Sequence, residues 1–259
     1  MDKKMQEFSI DYFSLKGKVA IITGGNTNLG LGYSTAFAKV GADLFIPHFA
    51  DDVDDVREIA EKEGRRIEFL KGDLTDETYR KEVIAKCLEK YGRIDILVNN
   101  AGINSFGDFQ TFPNSLFAKI VELNLNVTYY FGREVALEMI KQGHGKIINI
   151  GSALSFTADE RSMPYVISKH GVIGVTRDFA NELGRYNIQC NAICPGFFAT
   201  EINADIDPVI YERIAKRLPQ GKWGDPADLM GPAVFLASKA SDYINGWLIN
   251  VDGGFTCIV

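Results

Sequence analysis

The sequence is poor in residues that bind metals or cross-link chains. Its 259 residues include only four cysteines and three histidines. No two cysteines have C-x-x-C spacing, and scattered single thiols are typical of a reducing compartment. No apolar run approaches the roughly 20 residues that a membrane helix needs, and residues 1–12 lack the apolar core of a secretory signal. We therefore expect a cytoplasmic protein with no metal site and no membrane contact.

Basic residues are also in the minority. The chain carries 28 Lys plus Arg against 34 Asp plus Glu, a formal net charge of -6. A general nucleic-acid-binding protein needs a basic surface to displace counterions from phosphates, so we expect no nucleic-acid partner. Hydrophobic residues make up 46% of the chain, which is typical of a globular protein. No linker rich in proline, glycine or serine divides the sequence, and we predict a single domain over residues 1–259.

Short apolar runs alternate with longer amphipathic stretches. We predict strands over residues 19–22, 43–48, 67–70, 94–98, 146–150, 188–193 and 247–251. Helices are predicted over residues 31–40, 54–63, 77–91, 115–140, with a break near Asn124, and 165–185. This alternation predicts an α/β fold, namely one doubly wound Rossmann-type domain. Its seven-stranded, mostly parallel sheet would have helices on both faces and would bind ligands beyond the carboxyl ends of its strands.

A glycine-rich turn follows the first predicted strand. Residues 23–32 read T-G-G-N-T-N-L-G-L-G and lead into the first predicted helix. Glycines let the backbone approach a pyrophosphate closely, and a helix N-terminus offers unpaired amides and a positive dipole end. Gly24, Asn28, Leu29 and Gly30 are therefore candidate dinucleotide-binding residues, since Asn28 tolerates a positive φ. An ordinary strand–helix turn is the alternative interpretation.

Ser152, Tyr165 and Lys169 are the candidate reacting group. Tyr165 and Lys169 are four residues apart, so they share one face of a helix. A free tyrosine has a pKa of about 10, and a nearby ammonium lowers that pKa by favouring the phenolate. Tyr165 could then exchange a proton with an alcohol or carbonyl oxygen that Ser152 holds by a hydrogen bond. A surface helix pair is the alternative, and Ser155 is a competing serine.

Five motifs in order resemble those of the short-chain dehydrogenase/reductase family. The turn at 23–32 is similar to the family's T-G-x-x-x-G-x-G, with Asn28 in place of the middle glycine. Asp73-Leu74, N-N-A-G at 99–102, P-G-x-x-x-T at 195–200 and V-D-G-G at 251–254 follow. The resemblance implies a nicotinamide cofactor. It also implies a set of cofactor-binding residues, which comprises Gly24, Asn28, Leu29, Gly30, His48, Asp73, Leu74, Asn100, Ala101, Gly102, Tyr165, Lys169, Pro195, Gly196 and Thr200.

The same resemblance implies roles in catalysis. Tyr165 would be the acid–base group, Ser152 would hold the reacting oxygen, and Lys169 would also contact the nicotinamide ribose. An asparagine would relay protons to the lysine, with Asn124 at the matching position and Asn126 as the alternative. The stretches 143–150, 187–191 and 223–232 are similar to the family's sugar-acid dehydrogenases. The implied reaction is reversible oxidation of a secondary hydroxyl on a sugar acid such as gluconate or 2-dehydro-3-deoxygluconate.

Cofactor preference and substrate contacts rest on fewer residues. The end of the second strand decides between NAD and NADP. Residues 47–49 contain no Arg or Lys there, and Asp51 and Asp52 follow, so we expect NAD rather than NADP. His48 is interpreted as an adenine-packing or core residue. Arg161 and Asn104 are candidate substrate residues, with a solvated loop arginine as the alternative for Arg161.

Several expectations concern the chain as a whole. Residues 1–14 are predicted to be an N-terminal extension and residues 201–217 a cap over the substrate. The resemblance implies a homotetramer. Two other functions stay open from the sequence. One is an NADPH-dependent reductase of 3-oxoacyl thioesters on acyl carrier protein, and the other is a non-catalytic dinucleotide-binding redox sensor.

Overall fold

The computed structural model describes residues 3–200 and 206–257, with a single sheet of seven strands at its centre. The strands are β1 (Val19–Ile22), β2 (Asp43–His48), β3 (Ile67–Lys71), β4 (Ile96–Asn99), β5 (Gly145–Ile150), β6 (Ile188–Pro195) and β7 (Leu248–Val251). Their order across the sheet is β3-β2-β1-β4-β5-β6-β7, and every neighbouring pair is parallel. The predicted doubly wound α/β fold is confirmed.

Helices cover both faces of this sheet. They are α1 (Lys3–Gln6), α2 (Asn28–Lys39), α3 (Asp54–Lys62), α4 (Glu77–Tyr91), α5 (Asn114–Val121), α6 (Val127–Gln142), α7 (Met163–Leu183), α8 (Pro208–Ala215) and α9 (Met230–Ala237). Successive side chains of β1 point to opposite faces and enter different cores. Ala20 and Ile22 pack in the core under α2 and α9, whereas Val19 and Ile21 pack in the core under α4 and α6. Burial on both faces explains why the strands are continuously apolar.

The helix predicted over residues 115–140 is interrupted, as expected near Asn124. A π-helical turn, Glu122–Asn126, joins α5 to α6. Such insertions are frequent at functional sites, because they redirect side chains within a continuing helix. The insertion turns Asn124 into the protein interior, where only 1% of its surface is exposed.

Helix α9 is absent from the sequence-based prediction. Gly231 and Pro232 lie in its first turn and look like turn residues in the sequence. A proline costs little there, because the first amides of a helix have no intrahelical acceptor. In addition, α2 begins at Asn28, three residues earlier than predicted.

The topology creates a crevice at the carboxyl edge of the sheet. The chain leaves β1 toward α2, and β1 is flanked by β2 on one side and β4 on the other. The connections that follow β1 and its neighbour β4 run to opposite faces of the sheet, and open α/β sheets bind their ligands in the gap between such connections. Of the predicted cap, residues 201–205 lie outside the described residues, and α8 forms most of the remainder. No helix in the described ranges is long and apolar enough to cross a membrane.

Candidate active site

One cavity of about 1000 Å³ occupies the crevice. All fifteen residues predicted to bind the cofactor line its wall, namely Gly24, Asn28, Leu29, Gly30, His48, Asp73, Leu74, Asn100, Ala101, Gly102, Tyr165, Lys169, Pro195, Gly196 and Thr200. Ser152 and Asn104 line it too. The motifs are far apart in the sequence, and the fold brings them to a single surface.

The glycine-rich turn forms a close approach to the start of α2. Asn28 has a φ of 49°, which is the positive value that its asparagine side chain was predicted to tolerate. A Cβ on Gly30 would lie 2.0 Å from the carbonyl oxygen of Gly24, so only glycine fits. Thr27 precedes the helix without a side-chain capping bond, and Asn28, Leu29 and Gly30 line the cavity. This helix start is the anion-binding arrangement that a pyrophosphate requires.

The turn is fixed to the loop that follows β4. The Asn100 side-chain amide donates to the carbonyl oxygens of Thr23 at 2.9 Å and Gly24 at 3.2 Å. In return, the Thr23 hydroxyl accepts hydrogen bonds from the backbone amides of Asn100 and Ala101, both at 2.9 Å. The two loops therefore hold each other in place.

The far end of the cavity is fixed by a buried arginine. Arg80 of α4 donates to the carbonyl oxygen of Leu74 at 3.0 Å and forms an ion pair with Glu134 of α6 at 3.1 Å. Asp73 accepts hydrogen bonds from the amide of Thr75 at 2.9 Å and from its hydroxyl at 2.8 Å. The segment after β3 is thereby anchored, and its residues face the cavity.

His48 ends β2 at the same part of the wall. It is largely buried, with its Nδ1 atom 2.7 Å from the carbonyl oxygen of Ala50 and its ring edge-on to Phe69. Just beyond β2, the Asp51 carboxylate accepts a hydrogen bond from the Lys71 ammonium.

Ser152, Tyr165 and Lys169 meet at the other end of the cavity. The Lys169 Nζ atom lies 5.5 Å from the centre of the Tyr165 ring and donates to the Ile150 carbonyl oxygen at 2.7 Å. Burial lowers the pKa of Lys169 to about 8, because its charged form is poorly solvated there. Burial also raises the pKa of Tyr165, and a hydrogen bond from the Ser152 hydroxyl lowers it in part. A proton-transfer group therefore lies at the end of a dinucleotide-sized cavity.

The structure distinguishes two asparagines that the sequence left open. The Asn124 side chain accepts from the Ile103 amide at 2.9 Å and donates to the Ile103 carbonyl oxygen at 2.8 Å. A Cβ on Gly102 would lie 3.2 Å from the Asn124 side-chain oxygen and 3.8 Å from Lys169 Nζ, so both groups border Gly102. Asn126 instead donates to Glu122 on its own helix at 2.6 Å. Asn124 is the asparagine beside the lysine.

Three other residues considered from the sequence, Arg161, Asn104 and Ser155, differ in whether they line the cavity. Arg161 adopts a φ of 64° and pairs with Asp108 at 3.1 Å, and it is not among the residues that line the cavity. Asn104 is on the wall and donates to the Ser162 hydroxyl at 3.4 Å. Ser155 does not line the cavity, whereas Ser152 does.

Sequence reasoning missed three residues of the substrate end, which are Phe106, Lys119 and Trp223, whereas Ile206 and Ile214 lie within the predicted cap over residues 201–217. Trp223 stacks on Tyr211 of α8 with ring centres 4.7 Å apart, and its indole N–H donates to the Tyr211 carbonyl oxygen at 3.1 Å. Helix α8 is therefore seated against the cavity rather than remote from it. The available signal was that Trp223 is one of only two tryptophans in the chain.

The side chains around the cavity give little support to a nucleophilic cysteine or to a metal site. Cys194 is fully buried behind the site, and burial raises the pKa of its thiol to about 12, which disfavours the nucleophilic thiolate. Among the described residues, no group of three or more His, Cys, Asp or Glu side chains is arranged to hold a metal ion.

Comparison with known proteins extends over nearly the whole chain. The family model described as enoyl-(acyl carrier protein) reductase matches residues 25–256. An uncharacterized oxidoreductase of Escherichia coli, YgcW, is 43% identical over 98% of this chain and 98% of its own length. The 2-dehydro-3-deoxy-D-gluconate 5-dehydrogenase of Dickeya dadantii is 42% identical over 95% of this chain and 98% of its own.

A solved structure agrees with this similarity. It is a gluconate 5-dehydrogenase from Burkholderia cenocepacia in complex with NADP and tartrate. That structure is 35% identical and superimposes with a TM-score of 0.89, covering 96% of this chain and 99% of the other.

The burial of Lys169 predicts a pH-dependent cost to stability. Its pKa is about 8 in the folded protein against 10.5 in the unfolded chain, so folding releases a proton between these values. The loss of folding stability caused by burying the charged lysine is therefore fully present below pH 8 and disappears as the pH rises toward 10.5. We expect Lys169→Met to raise the free energy of unfolding at pH 7 by roughly 1–3 kcal/mol, with a smaller gain at pH 10. Urea denaturation at both pH values measures this difference.

Lys62→Met is the matched control, because Lys62 is exposed on α3. It should change the free energy of unfolding by less than about 0.5 kcal/mol at either pH. A Lys169→Met variant that is less stable than the parent at pH 7, or whose gain is equal at both pH values, would contradict this account.

Proposed function

Because the chain belongs to the short-chain dehydrogenase/reductase family, we propose that it interconverts a secondary hydroxyl of a sugar acid and the corresponding ketone with a nicotinamide cofactor. One observation carries this proposal. The anion-binding start of α2 and the group of Ser152, Tyr165 and Lys169 lie on the wall of the same cavity. The relatives named for gluconate and 2-dehydro-3-deoxy-D-gluconate support the substrate class.

The residues of this chain divide the proton chemistry between them. When bound, the nicotinamide supplies the hydride acceptor for oxidation and the hydride donor for reduction. Tyr165 takes the hydroxyl proton as the alcohol is oxidised and returns it to the carbonyl oxygen in the reverse direction. Ser152 donates a hydrogen bond that orients the same oxygen, and the Lys169 ammonium favours the phenolate form of Tyr165. Asn124 fixes the backbone beside Lys169 through its two bonds to Ile103.

Removing the Tyr165 hydroxyl tests this assignment. We expect Tyr165→Phe to lose at least about 100-fold in turnover, which is within the contribution of a general acid–base group. The affinity for the cofactor should change little, because the anion-binding start of α2 is untouched. Absorbance of the reduced nicotinamide measures turnover across gluconate, 2-dehydro-3-deoxygluconate, neutral polyols and 3-oxoacyl thioesters, and fluorescence titration measures cofactor binding.

The outcomes of this panel are distinct. Turnover on a sugar acid by the parent, lost in Tyr165→Phe, supports the proposal. Turnover on thioesters alone would replace sugar acids as the substrate class, and near-normal activity of Tyr165→Phe would remove Tyr165 from its role.

A sugar-acid substrate needs a cation or several donors for its carboxylate. Arg161 was the candidate from the sequence, but its guanidinium is paired with Asp108. Lys119 of α5 lines the cavity, and we favour it as the carboxylate partner. Asn104 and Ser162, also on the wall, would bond substrate hydroxyls.

The two cations provide a matched pair of variants. We expect Lys119→Met to raise KM for the best sugar acid about tenfold, since an ion pair is lost, and to leave KM for a neutral polyol unchanged. Arg161→Met should leave both values within about twofold of the parent. Steady-state kinetics measures the four values, and the reverse pattern would assign the carboxylate to Arg161.

We infer a preference for NAD over NADP. The cavity residues at the end of β2 are Pro47, His48, Phe49 and Ala50, which bring neither a guanidinium nor an ammonium to a 2′-phosphate. Asp51, which is paired with Lys71, and Asp52 follow directly, and Asp52 adds negative charge nearby. The solved relative carries NADP, so the fold itself does not exclude a 2′-phosphate, and the inferred preference for NAD rests on the local charge at the end of β2.

Adding a cation at this position should invert the preference. We expect His48→Arg to raise the ratio of kcat/KM for NADP over NAD at least tenfold, because a guanidinium binds a phosphate in bidentate fashion. His48→Gln removes the imidazole without adding charge, and its ratio should stay within about threefold of the parent. An unchanged ratio in His48→Arg would place the ribose 2′ position elsewhere.

The two other functions considered from the sequence have less support. The family model is named for an acyl-carrier-protein reductase. However, the 2-dehydro-3-deoxy-D-gluconate 5-dehydrogenase of Dickeya dadantii, which matches nearly the full length of the chain, is named for a sugar acid. A non-catalytic sensor would not need a buried lysine, a tyrosine and a serine arranged for proton transfer.

Assembly and location belong to the same proposal. Helix α6 exposes Tyr129, Tyr130 and Leu137, and α7 exposes Ile167, so these apolar side chains support association of helices between copies as a homotetramer. Four free thiols support a reducing cytoplasm.

A further inference from the structure

The hydroxyl of Ser155 connects two residues of the candidate active site. Its oxygen accepts a hydrogen bond from the backbone amide of Ser152 at 3.1 Å and donates one to the backbone carbonyl of Lys169 at 2.8 Å. Ser155 is 6% exposed and does not line the cavity. It therefore touches the backbone of both residues without reaching a bound substrate.

The short turn that contains Ser155 also determines where the Ser152 hydroxyl points. Residues Ala153–Ser155 form one 3-10 turn, and the Ser152 side chain accepts from the amide of Leu154 at 3.1 Å. The hydroxyl proton of Ser152 then remains available for the Tyr165 oxygen. Any shift of this turn moves the Ser152 hydroxyl relative to Tyr165, because the Ser155 hydroxyl bonds the Ser152 amide and the Ser152 hydroxyl bonds the Leu154 amide.

Packing leaves the Ser155 hydroxyl little freedom. A Cβ on Gly151 would lie 3.1 Å from the Ser155 oxygen and 2.8 Å from the Cys194 sulfur, so each of these atoms packs closely against Gly151. Lys169 itself is held to Ile150 at the end of β5. The Ser155 bridge is thus a second connection between the β5 loop and α7, on the side away from the cavity.

We propose that Ser155 is a positioning residue, which sets the Ser152 hydroxyl against Tyr165 by bonding the β5 loop to α7. This inference rests on the proposed function, since it gives Ser152 a role in turnover. A misplacement of about 1 Å at a reacting group costs on the order of 100-fold. We expect Ser155→Ala to lower kcat by about 10-fold to 100-fold, while KM and cofactor affinity stay within about threefold of the parent.

A double-mutant cycle separates positioning from a general loss of structure. If Ser155 acts through Ser152, then Ser155→Ala should cost at least tenfold in kcat in the parent but less than about twofold in the Ser152→Ala background. Equal losses in the two backgrounds, or no loss in the parent, would overturn the proposal. Single-turnover absorbance measures the slow variants, and turnover by the parent on any alcohol tests the proposed function separately.

Two further variants keep the test decisive. Thr157→Ala removes a neighbouring hydroxyl that bonds only to the Ala153 carbonyl oxygen, at 3.4 Å, and it should retain the parent kcat. If Ser155→Ala does not fold, the same cycle is run with Ser155→Cys, whose thiol is a weaker hydrogen-bonding group. The expected loss in kcat is then smaller, but it should still occur only in the protein that retains Ser152.

Discussion

The buried ammonium of Lys169 is the constraint around which the rest of the site is arranged. A charged group inside a protein must be hydrogen-bonded, and Lys169 meets this need through the Ile150 carbonyl oxygen. That bond requires α7 to lie directly against the end of β5. Once the helix is there, Tyr165 is placed on the cavity wall one turn away, and Ser152 follows β5 on the other side. The desolvation that lowers the pKa of Lys169 is therefore a direct consequence of the contact that assembles the group.

This arrangement needs a rigid support, and the parallel sheet provides one. Because β4, β5 and β6 are buried on both faces, their carboxyl ends cannot shift independently. The loops above them are then connected by short polar bonds, such as those of Asn100 to the Gly24 segment and of Asn124 to Ile103. The stability cost of the buried lysine is thus offset by apolar packing elsewhere in the same domain.

Predictions from the sequence succeeded where the physical cause is local. The spacing of Tyr165 and Lys169 requires a common helix face, and the glycines of the turn indicate its backbone geometry. The fold, and the fact that these residues line one cavity, could therefore be predicted. The sequence could not show which side chains meet when they come from segments that are far apart in the chain. The family motif favoured Asn124 over Asn126, but the sequence did not show that Asn124 meets Ile103, because the π-helical turn decides which side chain points inward. Likewise, the pairing of Arg161 with Asp108 depends on how the loop after β4 meets the segment before α7, and the cavity position of Lys119 depends on where α5 packs.

A substitution at the cofactor end of the cavity would consequently have a different structural effect from one at the substrate end. The cofactor end is built from backbone atoms and glycines within contiguous motifs, so most substitutions there alter the shape of the turn itself. The substrate end is built from single side chains of separate segments, including Phe106, Lys119 and Trp223. Each of these side chains could be exchanged without moving the sheet, α2 or α7. Under the proposed function, selection among sugar acids would therefore be controlled by a few replaceable residues, whereas proton transfer would depend on contacts that the fold itself requires.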